Sequence, residues 1–319
     1  MREGRFIQEN KARWESYRKP TRDPDELARR LTCLVDDLSY ARTFYPYSEI
    51  VKYINGLAAD IYLSIYKNKK QDRGRLAFFF LTELPLLLFK RRKILLFSLL
   101  FFITFVAIGA FSSWQDPDFV RSVLGDEYVT MTENNIAKGE PFGVYKNENN
   151  FVMFLYIAWN NIRVAFLCFI SGLFFSVGTL WLLFKNGVML GTFEQLFFAH
   201  GIGGRSLLIV FIHGTLEISA IVIAGSAGII LGNALLFPKT YTRLQSLISG
   251  AKDGIKIIVS LVPIFLVAAF FEGYVTRHDN MPLFLNILIL AGSLLFIFGY
   301  FVWYPRSVYR RVQQQVTLH

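Results

Sequence analysis

The chain has 319 residues, of which 53% are hydrophobic and 16% aromatic, and its mean hydropathy is +0.38. A soluble domain of this length could not bury so much apolar surface, so the composition excludes an ordinary soluble protein and indicates an integral protein of the lipid bilayer. The formal net charge is +10, but the basic residues cluster beside apolar segments, as topology signals do, so we expect no nucleic-acid partner. Cys33 and Cys168 lie in a polar and an apolar segment, which predicts no disulfide framework.

The amino-terminal region, residues 1–75, is polar and is predicted to form a cytoplasmic region of three helices. The first helix ends at Pro20, because proline cannot continue a helix. Asp23 fits the N-cap of a second helix with Pro24 at its first position, and a third helix follows Ser48. The amino end has no apolar h-region, so we expect no cleaved signal peptide.

Residues 76–93 predict an interfacial elbow helix that ends in a basic stop. The segment up to Phe89 is strongly apolar but too short to cross a membrane comfortably, and Glu83 and Pro85 interrupt it. Only basic residues occupy positions 90–93. Basic side chains outnumber acidic ones before the first span, which predicts a cytoplasmic amino end.

The remaining chain predicts a transmembrane domain over residues 94–305 and a cytoplasmic tail over residues 306–319. The loop 112–150 is acidic and long for a simple connection, so we expect it to lie outside the cytoplasm and to fold locally. Basic residues after the fourth span and in the tail predict an even number of crossings, with both termini on the cytoplasmic side of the inner membrane. The expected fold class is all-α, a polytopic helical membrane protein with about six membrane helices. The predicted spans are 94–111, 162–184, 188–200, 206–237, 255–275 and 282–304.

Short polar interruptions set the boundaries of the second and third spans. Asn160, Asn161 and Arg163 divide the apolar segment before the second span, and residues 185–187 predict a cytoplasmic turn after it. The next segment contains Glu194 and is shorter than a full span, so it fits either a short crossing or a re-entrant helix.

The fourth span has one face of small residues. Ala220, Ala224, Gly228 and Gly232 recur every fourth residue, which places them on a stripe where a neighbouring helix backbone can approach closely. Gly214 is assigned to the same helix-packing set. Small-residue stripes beyond those needed within one chain also predict a homodimer.

A polar cluster is predicted in the outer half of the membrane domain. His213 and Glu217 lie one turn apart in the fourth span and should face protein or water, because an ionisable group facing lipid costs at least about 2.5 kcal/mol. Glu272 lies near the outer end of the fifth span and His200 at the glycine turn before the fourth, so both are expected to converge on the pair. Arg163, at the outer end of the second span, is expected to supply a counter-ion.

The residue types leave three interpretations of this cluster open. Protonated or paired glutamates would only lock helices together, whereas a hydrated cluster would serve an ion or proton pathway or a small cationic ligand. Histidine and glutamate at positions i and i+4 are also ligand types for a divalent metal. The chain has neither the HExxH signature nor a nucleotide-binding loop. We expect an ion-pair or binding cluster, with no catalytic residue, no bound metal and no cofactor.

Several motifs occur in the apolar part of the chain. They are HGTLEISAIVIAGSAGIILG from His213, NGVMLG at 186–191 and PIFLVAAFFEGYVT at 263–276. Together they resemble the stage II sporulation protein M family of bacterial and archaeal membrane proteins. The amino-terminal RWESYRKP and LVDDLSYARTFYP are similar to the cytoplasmic lead of members from non-sporulating bacteria.

The resemblance assigns motif positions. His213, Gly214 and Glu217 match the HG-x-x-E positions of the family, and Glu272 and Gly273 match its E-G positions. No enzymatic chemistry comes with these positions.

The resemblance implies a role in organising other proteins. The family's namesake anchors peptidoglycan-degrading partners during engulfment, and other members are often encoded beside MoxR-type AAA+ ATPases and von Willebrand factor A domain proteins. We therefore expect a non-enzymatic scaffold or complex subunit of the cell envelope, with envelope or cytoplasmic proteins as partners. The alternative is a transporter or channel built around the polar cluster, and an intramembrane hydrolase is third.

Overall fold

The computed structural model of the protein describes residues 2–21, 23–67, 74–139, 149–276 and 282–317. The regular secondary structure of these residues is entirely helical, which confirms the predicted all-α fold class. The chain forms two compact units, Met1–Leu76 and Ala77–His319.

Long helices make up most of both units. The first three are α1 (Glu3–Tyr17), α2 (Pro24–Phe44) and α3 (Glu49–Lys67). The others are α4 (Arg75–Phe78), α5 (Leu84–Gln115), α6 (Pro117–Leu124), α7 (Asp126–Ala137), α8 (Asn150–Ile170), α9 (Val177–Ala199), α10 (Gly203–Leu236), α11 (Arg243–Phe270), α12 (Leu283–Phe298) and α13 (Tyr304–Thr317). Three π-helical segments, Phe79–Glu83, Phe271–Thr276 and Gly299–Trp303, and one 3₁₀ turn, Ser171–Leu173, continue or link them.

The first unit forms three helices, and they bury their apolar faces in one shared core. Trp14 is 1% exposed, and Leu34 and Ile54 are 0% exposed. The indole N–H of Trp14 donates to Asp37 Oδ2 at 2.8 Å, which satisfies the polar edge of the ring inside the core. The carboxylate of Asp23 caps α2 by accepting a backbone N–H from its first turn.

Arg30 holds the connection between α1 and α2 in place. Its side chain is 10% exposed, and its guanidinium donates to the Glu26 carboxylate and to the carbonyl oxygens of Tyr17 and Lys19. The hydrogen bond from Arg30, with a second from Thr21, holds the pKa of Glu26 below its usual value. The ion pair is therefore present at neutral pH and is lost as the pH falls through this lowered pKa.

The second unit is organised around α10, which packs against α5, α8, α9, α11 and α12. Its small residues lie at the closest approaches. Ala220 and Ala224 are 0% exposed. A Cβ added at Gly228 would collide with the backbone carbonyl of Cys168 in α8, and one added at Gly232 would collide with the turn before α9. The stripe on α10 therefore lies in helix contacts within this chain.

Five helical segments are long and apolar enough to cross a membrane by length and composition, among the residues that the structure describes. They are Arg75–Gln115, Asn150–Leu173, Gly203–Leu236, Arg243–Val275 and Leu283–Gln315. The sequence predicted about six spans, and the difference is α9, whose polar residues Lys185, Asn186 and Glu194 lower its apolar character. At 23 residues, α9 is about 35 Å long, and it packs between α5 and α10.

The turn predicted at residues 185–187 is wrong. The chain turns at Phe175 and Ser176, which have φ angles of 52° and 67°, and α9 runs through the predicted turn as regular helix. A Cβ at Gly187 or Gly191 would meet the backbone of α5. The glycines of the NGVMLG motif therefore allow two helices to approach closely and do not reverse the chain.

This shift changes the second and third predicted spans. The predicted span 162–184 is interrupted by the 3₁₀ turn Ser171–Leu173 and the residues after it, and its first part belongs to α8, which begins at Asn150. The predicted span 188–200 is only the second half of α9. The short or re-entrant segment is replaced by a helix of ordinary length.

Residues 76–93 do not form a separate elbow helix. The π-helical turn Phe79–Glu83 continues α4 into α5 without a break, and Pro85 lies directly after this irregular turn. The hydroxyls of Tyr300 and Tyr304 donate to carbonyl oxygens of this π turn at 2.7 and 2.9 Å. The irregular turn is thereby stabilised from the carboxyl-terminal end of the chain.

Two ion pairs join this continuous helix to α11. Glu83, which interrupted the apolar segment in the sequence, lies 2.5 Å from Lys256 Nζ. Arg91, from the predicted basic stop, donates to Asp253 at 2.6 Å. Glu83 and Arg91, on which the predicted elbow was based, therefore form ion pairs that join two helices.

The α1–α2 connection gives a first prediction. Arg30→Met should speed amide hydrogen exchange in the segment between these helices severalfold, because the carbonyl oxygens of Tyr17 and Lys19 lose their donor. Arg29→Met, on the exposed side of the same helix, is the matched control. Equal exchange in both variants would contradict the assigned role of Arg30.

The α10 packing gives a second prediction. Gly228→Ala should destabilise the membrane unit by about 1–3 kcal/mol or prevent its folding, because the new Cβ meets backbone atoms that cannot move aside. Gly204→Ala, at an exposed position near the amino end of the same helix, meets nothing within 4 Å and should leave the thermal melting temperature of the detergent-solubilised protein unchanged. If both variants melt like the wild type, the close approach is not a constraint.

Candidate functional site

The structure brings His213, Glu217 and Glu272 together. Each offers one ligand atom, and these three atoms all lie within 4.8 Å of one another. His213 Nε2 is 3.9 Å from Glu272 Oε2, and the two side chains are 14% and 22% exposed. Three of the five predicted cluster residues therefore form one group, which we call the HEE cluster.

Local helix geometry explains the HEE cluster. His213 and Glu217 are four residues apart in α10, so they lie one above the other on a single face. Glu272 follows α11 in the π-helical segment Phe271–Thr276. A π-helical turn inserts an extra residue per turn and rotates the side chains that follow, and such segments are frequent at functional sites.

Asn161 is the site residue that sequence analysis missed. It lies in α8, is 8% exposed, and its side-chain amide donates to Glu217 Oε1 at 2.5 Å. The sequence signal was visible, because a pair of asparagines interrupts an apolar helix, but we interpreted the pair only as a boundary. A buried amide in a membrane helix requires a partner, and Glu217 supplies it.

His200 and Arg163 lie outside the HEE cluster. His200 is exposed at the end of α9, and its ring Nδ1 is 2.8 Å from the carbonyl oxygen of Leu196. Arg163 is exposed and forms no ion pair with the part of the chain that the structure describes. It is two residues from Asn161, and residues at that spacing lie on different faces of a helix. The counter-ion predicted from Arg163 is therefore absent from the cluster.

A cavity of about 410 Å³ adjoins the HEE cluster. Its polar lining includes Asn161, His213 and Glu217, and Gly214 exposes backbone to it. The other lining residues are Phe102, Val123, Leu124, Tyr128, Asn160, Val164, Asn186, Met189, Leu190, Phe193, Val210, Ile218 and Ile221. Neither lysine nor arginine occurs among these lining residues.

The described part of the loop 112–150 contributes to this cavity. The loop forms α6, capped by Asp116, and α7, which begins after Gly125 at a φ of 89°. Val123 and Leu124 of α6 and Tyr128 of α7 line the cavity. The described part of the loop therefore folds locally, as expected, and its helices help to enclose the polar site.

Gly214 differs from the rest of the predicted helix-packing set. A Cβ added there would meet only side chains of its own helix, at 3.6 Å from Ile218 and 3.8 Å from Val210. The residue is buried but borders the cavity. Gly214 therefore keeps space open beside His213 and Glu217 and makes no close helix contact.

The Asn161 contact gives a third prediction. Asn161→Leu should destabilise the folded protein by about 1–3 kcal/mol, because it removes the donor from a carboxylate in a poorly hydrated site. Asn160→Leu, at the exposed neighbouring position, is the matched control in a thermal melt of the detergent-solubilised protein. A melting temperature that falls equally in both variants would contradict a specific Asn161–Glu217 bond.

Comparison with known proteins places the HEE cluster within a family. The family model described as Stage II sporulation protein M matches residues 98–277, and a domain of unknown function (DUF8413) matches residues 4–67. An uncharacterized protein of Methanocaldococcus jannaschii is 28% identical over 160 residues, which cover 49% of this chain and 69% of the relative. No solved structure matches the chain significantly. Because the first match covers more than half of the chain and all three HEE residues, this multi-pass membrane protein belongs to the stage II sporulation protein M family.

Proposed function

We propose that the protein is a non-enzymatic scaffold, a membrane-anchored subunit that collects other proteins of the cell envelope. The observation that carries this proposal is the first unit, Met1–Leu76, which has its own apolar core. A helical module with an apolar core of its own is suited to present a binding surface to water-soluble proteins. The organising role implied by the family resemblance agrees with this.

The proposed orientation places both termini in the cytoplasm and the membrane unit in the inner membrane. Basic residues at positions 90–93, Lys239 and Arg243 flank apolar helices at the end from which α5 starts. The loop 112–150, at the other end of α5, is acidic. This asymmetry follows the excess of Lys and Arg in cytoplasmic loops.

The first unit carries a cleft that fits an acidic partner segment. The cleft has a volume of about 720 Å³, and Arg18 lies over the ring of Tyr53 at 5.4 Å inside it. Lys19 and Lys52 add positive charge at its exposed rim, against the single carboxylate of Asp60. Positive charge beside aromatic rings in a concave surface favours an acidic peptide of a cytoplasmic protein.

A homodimer is part of the proposal, and α12 is the helix that we assign to it. Gly228 and Gly232 lie in contacts within the chain, whereas Gly292 of α12 has no atom within 4 Å of the place where a Cβ would lie. A small residue on an exposed membrane-helix face lets a second helix approach closely. The α12 face therefore fits a second copy of this chain.

The cleft gives a fourth prediction, tested with the full-length protein purified from native membranes. Lys52→Glu should lower the amount of a co-purifying cytoplasmic partner at least about tenfold, because charge reversal repels an acidic segment. Lys11→Glu is the matched control. Lys52 and Lys11 are both highly exposed and both lie near a glutamate on the same helix, but Lys11 is outside the cleft.

The Glu217→Gln variant tests whether the proposed scaffold role depends on the HEE cluster. The amide keeps the shape of the side chain and one acceptor, so partner capture should equal that of the wild type. Capture that is lost with Glu217→Gln in a folded protein, or that is indifferent to Lys52→Glu, would contradict the scaffold built on the first unit.

A further inference from the structure

We propose that His213, Glu217 and Glu272 bind one divalent transition-metal ion of the zinc, manganese or iron type. This site is independent of the scaffold role. The donor set is one imidazole nitrogen and two carboxylate oxygens. Magnesium and calcium prefer oxygen ligands alone, so the histidine selects for a transition metal.

The geometry of the three side chains fits a shared ion. Metal–nitrogen and metal–oxygen bonds are about 2.0–2.2 Å long, which places neighbouring ligand atoms roughly 3.0–3.5 Å apart. The three ligand atoms already lie within 4.8 Å of one another, and His213 Nε2 is 3.9 Å from Glu272 Oε2. Small side-chain rotations close the remaining difference, so no helix has to move.

The charge of the site is also compatible with a bound cation. Two carboxylates face each other in a membrane domain, and the adjoining cavity is lined by neither lysine nor arginine among the described residues. Arg163, the nearest predicted counter-ion, is exposed on another face of its helix. A divalent ion with a neutral histidine would balance the charge of two ionised carboxylates at this site.

The surroundings resemble the outer shell of a metal site. Asn161 donates to one oxygen of Glu217 and fixes that carboxylate, as hydrogen-bond partners of metal ligands do. Nδ1 of His213 is buried and makes no hydrogen bond within the described residues. A histidine ligand usually donates this second nitrogen to a partner, and water in the adjoining cavity, which His213 lines, is the partner that the proposed site requires.

The cavity supplies the open side of the site. His213 and Glu217 both line it, and its volume of about 410 Å³ holds several water molecules at about 30 Å³ each. Three protein ligands with an open position are the arrangement that lets a metal keep water or take a small oxygen ligand. Gly214 keeps this side open, since a larger residue there would enter the cavity.

The test is a cobalt titration of the chelator-treated, full-length protein in detergent. Co²⁺ reports its ligands through visible absorption, and we expect about one equivalent to bind and to be displaced by Zn²⁺. His213→Gln, Glu217→Gln and Glu272→Gln should each weaken binding at least about tenfold. Glu194→Gln and His200→Gln remove a buried carboxylate and an exposed imidazole outside the HEE cluster, and both should bind like the wild type.

Two results would overturn the site. One is the absence of Co²⁺ and Zn²⁺ binding by wild-type protein that elutes as a single species, and the other is unchanged binding in all three HEE variants. Should none of these variants fold, the melting temperature of the wild type decides. Stabilisation by Zn²⁺ but not by Mg²⁺ supports the site, and no stabilisation by Zn²⁺ refutes it.

Discussion

The close contact between α8 and α10 is the constraint on which the rest of the membrane unit depends. Helices in lipid gain little from the hydrophobic effect, so their association relies on packing at short range and on hydrogen bonds. A Cβ at Gly228 would collide with the backbone carbonyl of Cys168 in α8, and a Cβ at Gly172, in the turn that follows α8, would collide with the backbone of Gly228. Two backbones therefore touch where side chains would normally separate them.

This contact determines the position of the polar site. The Gly172–Gly228 approach and the Asn161–Glu217 hydrogen bond lie in the same order along both helices, so α8 and α10 run parallel. With the glycine contact fixed, Asn161 lies opposite Glu217 about three turns earlier along α10. A side chain at the glycine contact would separate the helices and lengthen the hydrogen bond between these two residues.

Irregular helix turns contain backbone carbonyl oxygens that accept hydrogen bonds from other parts of the protein. The π turn Phe79–Glu83 has carbonyl oxygens that accept from Tyr300 and Tyr304, and Tyr300 itself lies in the π segment Gly299–Trp303. The third π segment, Phe271–Thr276, carries Glu272. In lipid every polar group requires a partner inside the protein. The first segment accepts hydrogen bonds from two tyrosine hydroxyls, and the segment Phe271–Thr276 presents a carboxylate to the HEE cluster.

The sequence predicted periodic features well and features that depend on neighbouring helices poorly. The i, i+4 spacing of His213 and Glu217 follows from helix geometry alone, so it could be derived from one segment. The role of Gly187 and Gly191 could not, because a glycine for a turn and a glycine for a close helix approach look alike until the α5 backbone is in place. Asn161 required knowledge of the facing helix for the same reason.

Charged residues show the same limit. Glu83 interrupts an apolar run in the sequence, yet in space it pairs with Lys256 of α11 and belongs to one continuous helix. Arg163 looked like the counter-ion of the site because it lies at the correct depth, but depth does not determine the helix face. Position along a span was predictable from residue counting, whereas partner choice depends on the rotation of each helix about its axis.

The glycines of α10 have two different roles. Some allow close helix packing, which stabilises the fold, and one borders the polar site. At Gly228 and Gly232, the absence of a side chain allows two backbones to come into contact. At Gly214, it leaves a cavity open beside His213 and Glu217. Packing alone does not require the second role, because a closed core would be more stable than a cavity. A cavity kept beside His213 and Glu217 therefore agrees with the proposed metal ion, since an ion that binds the folded protein there would stabilise it.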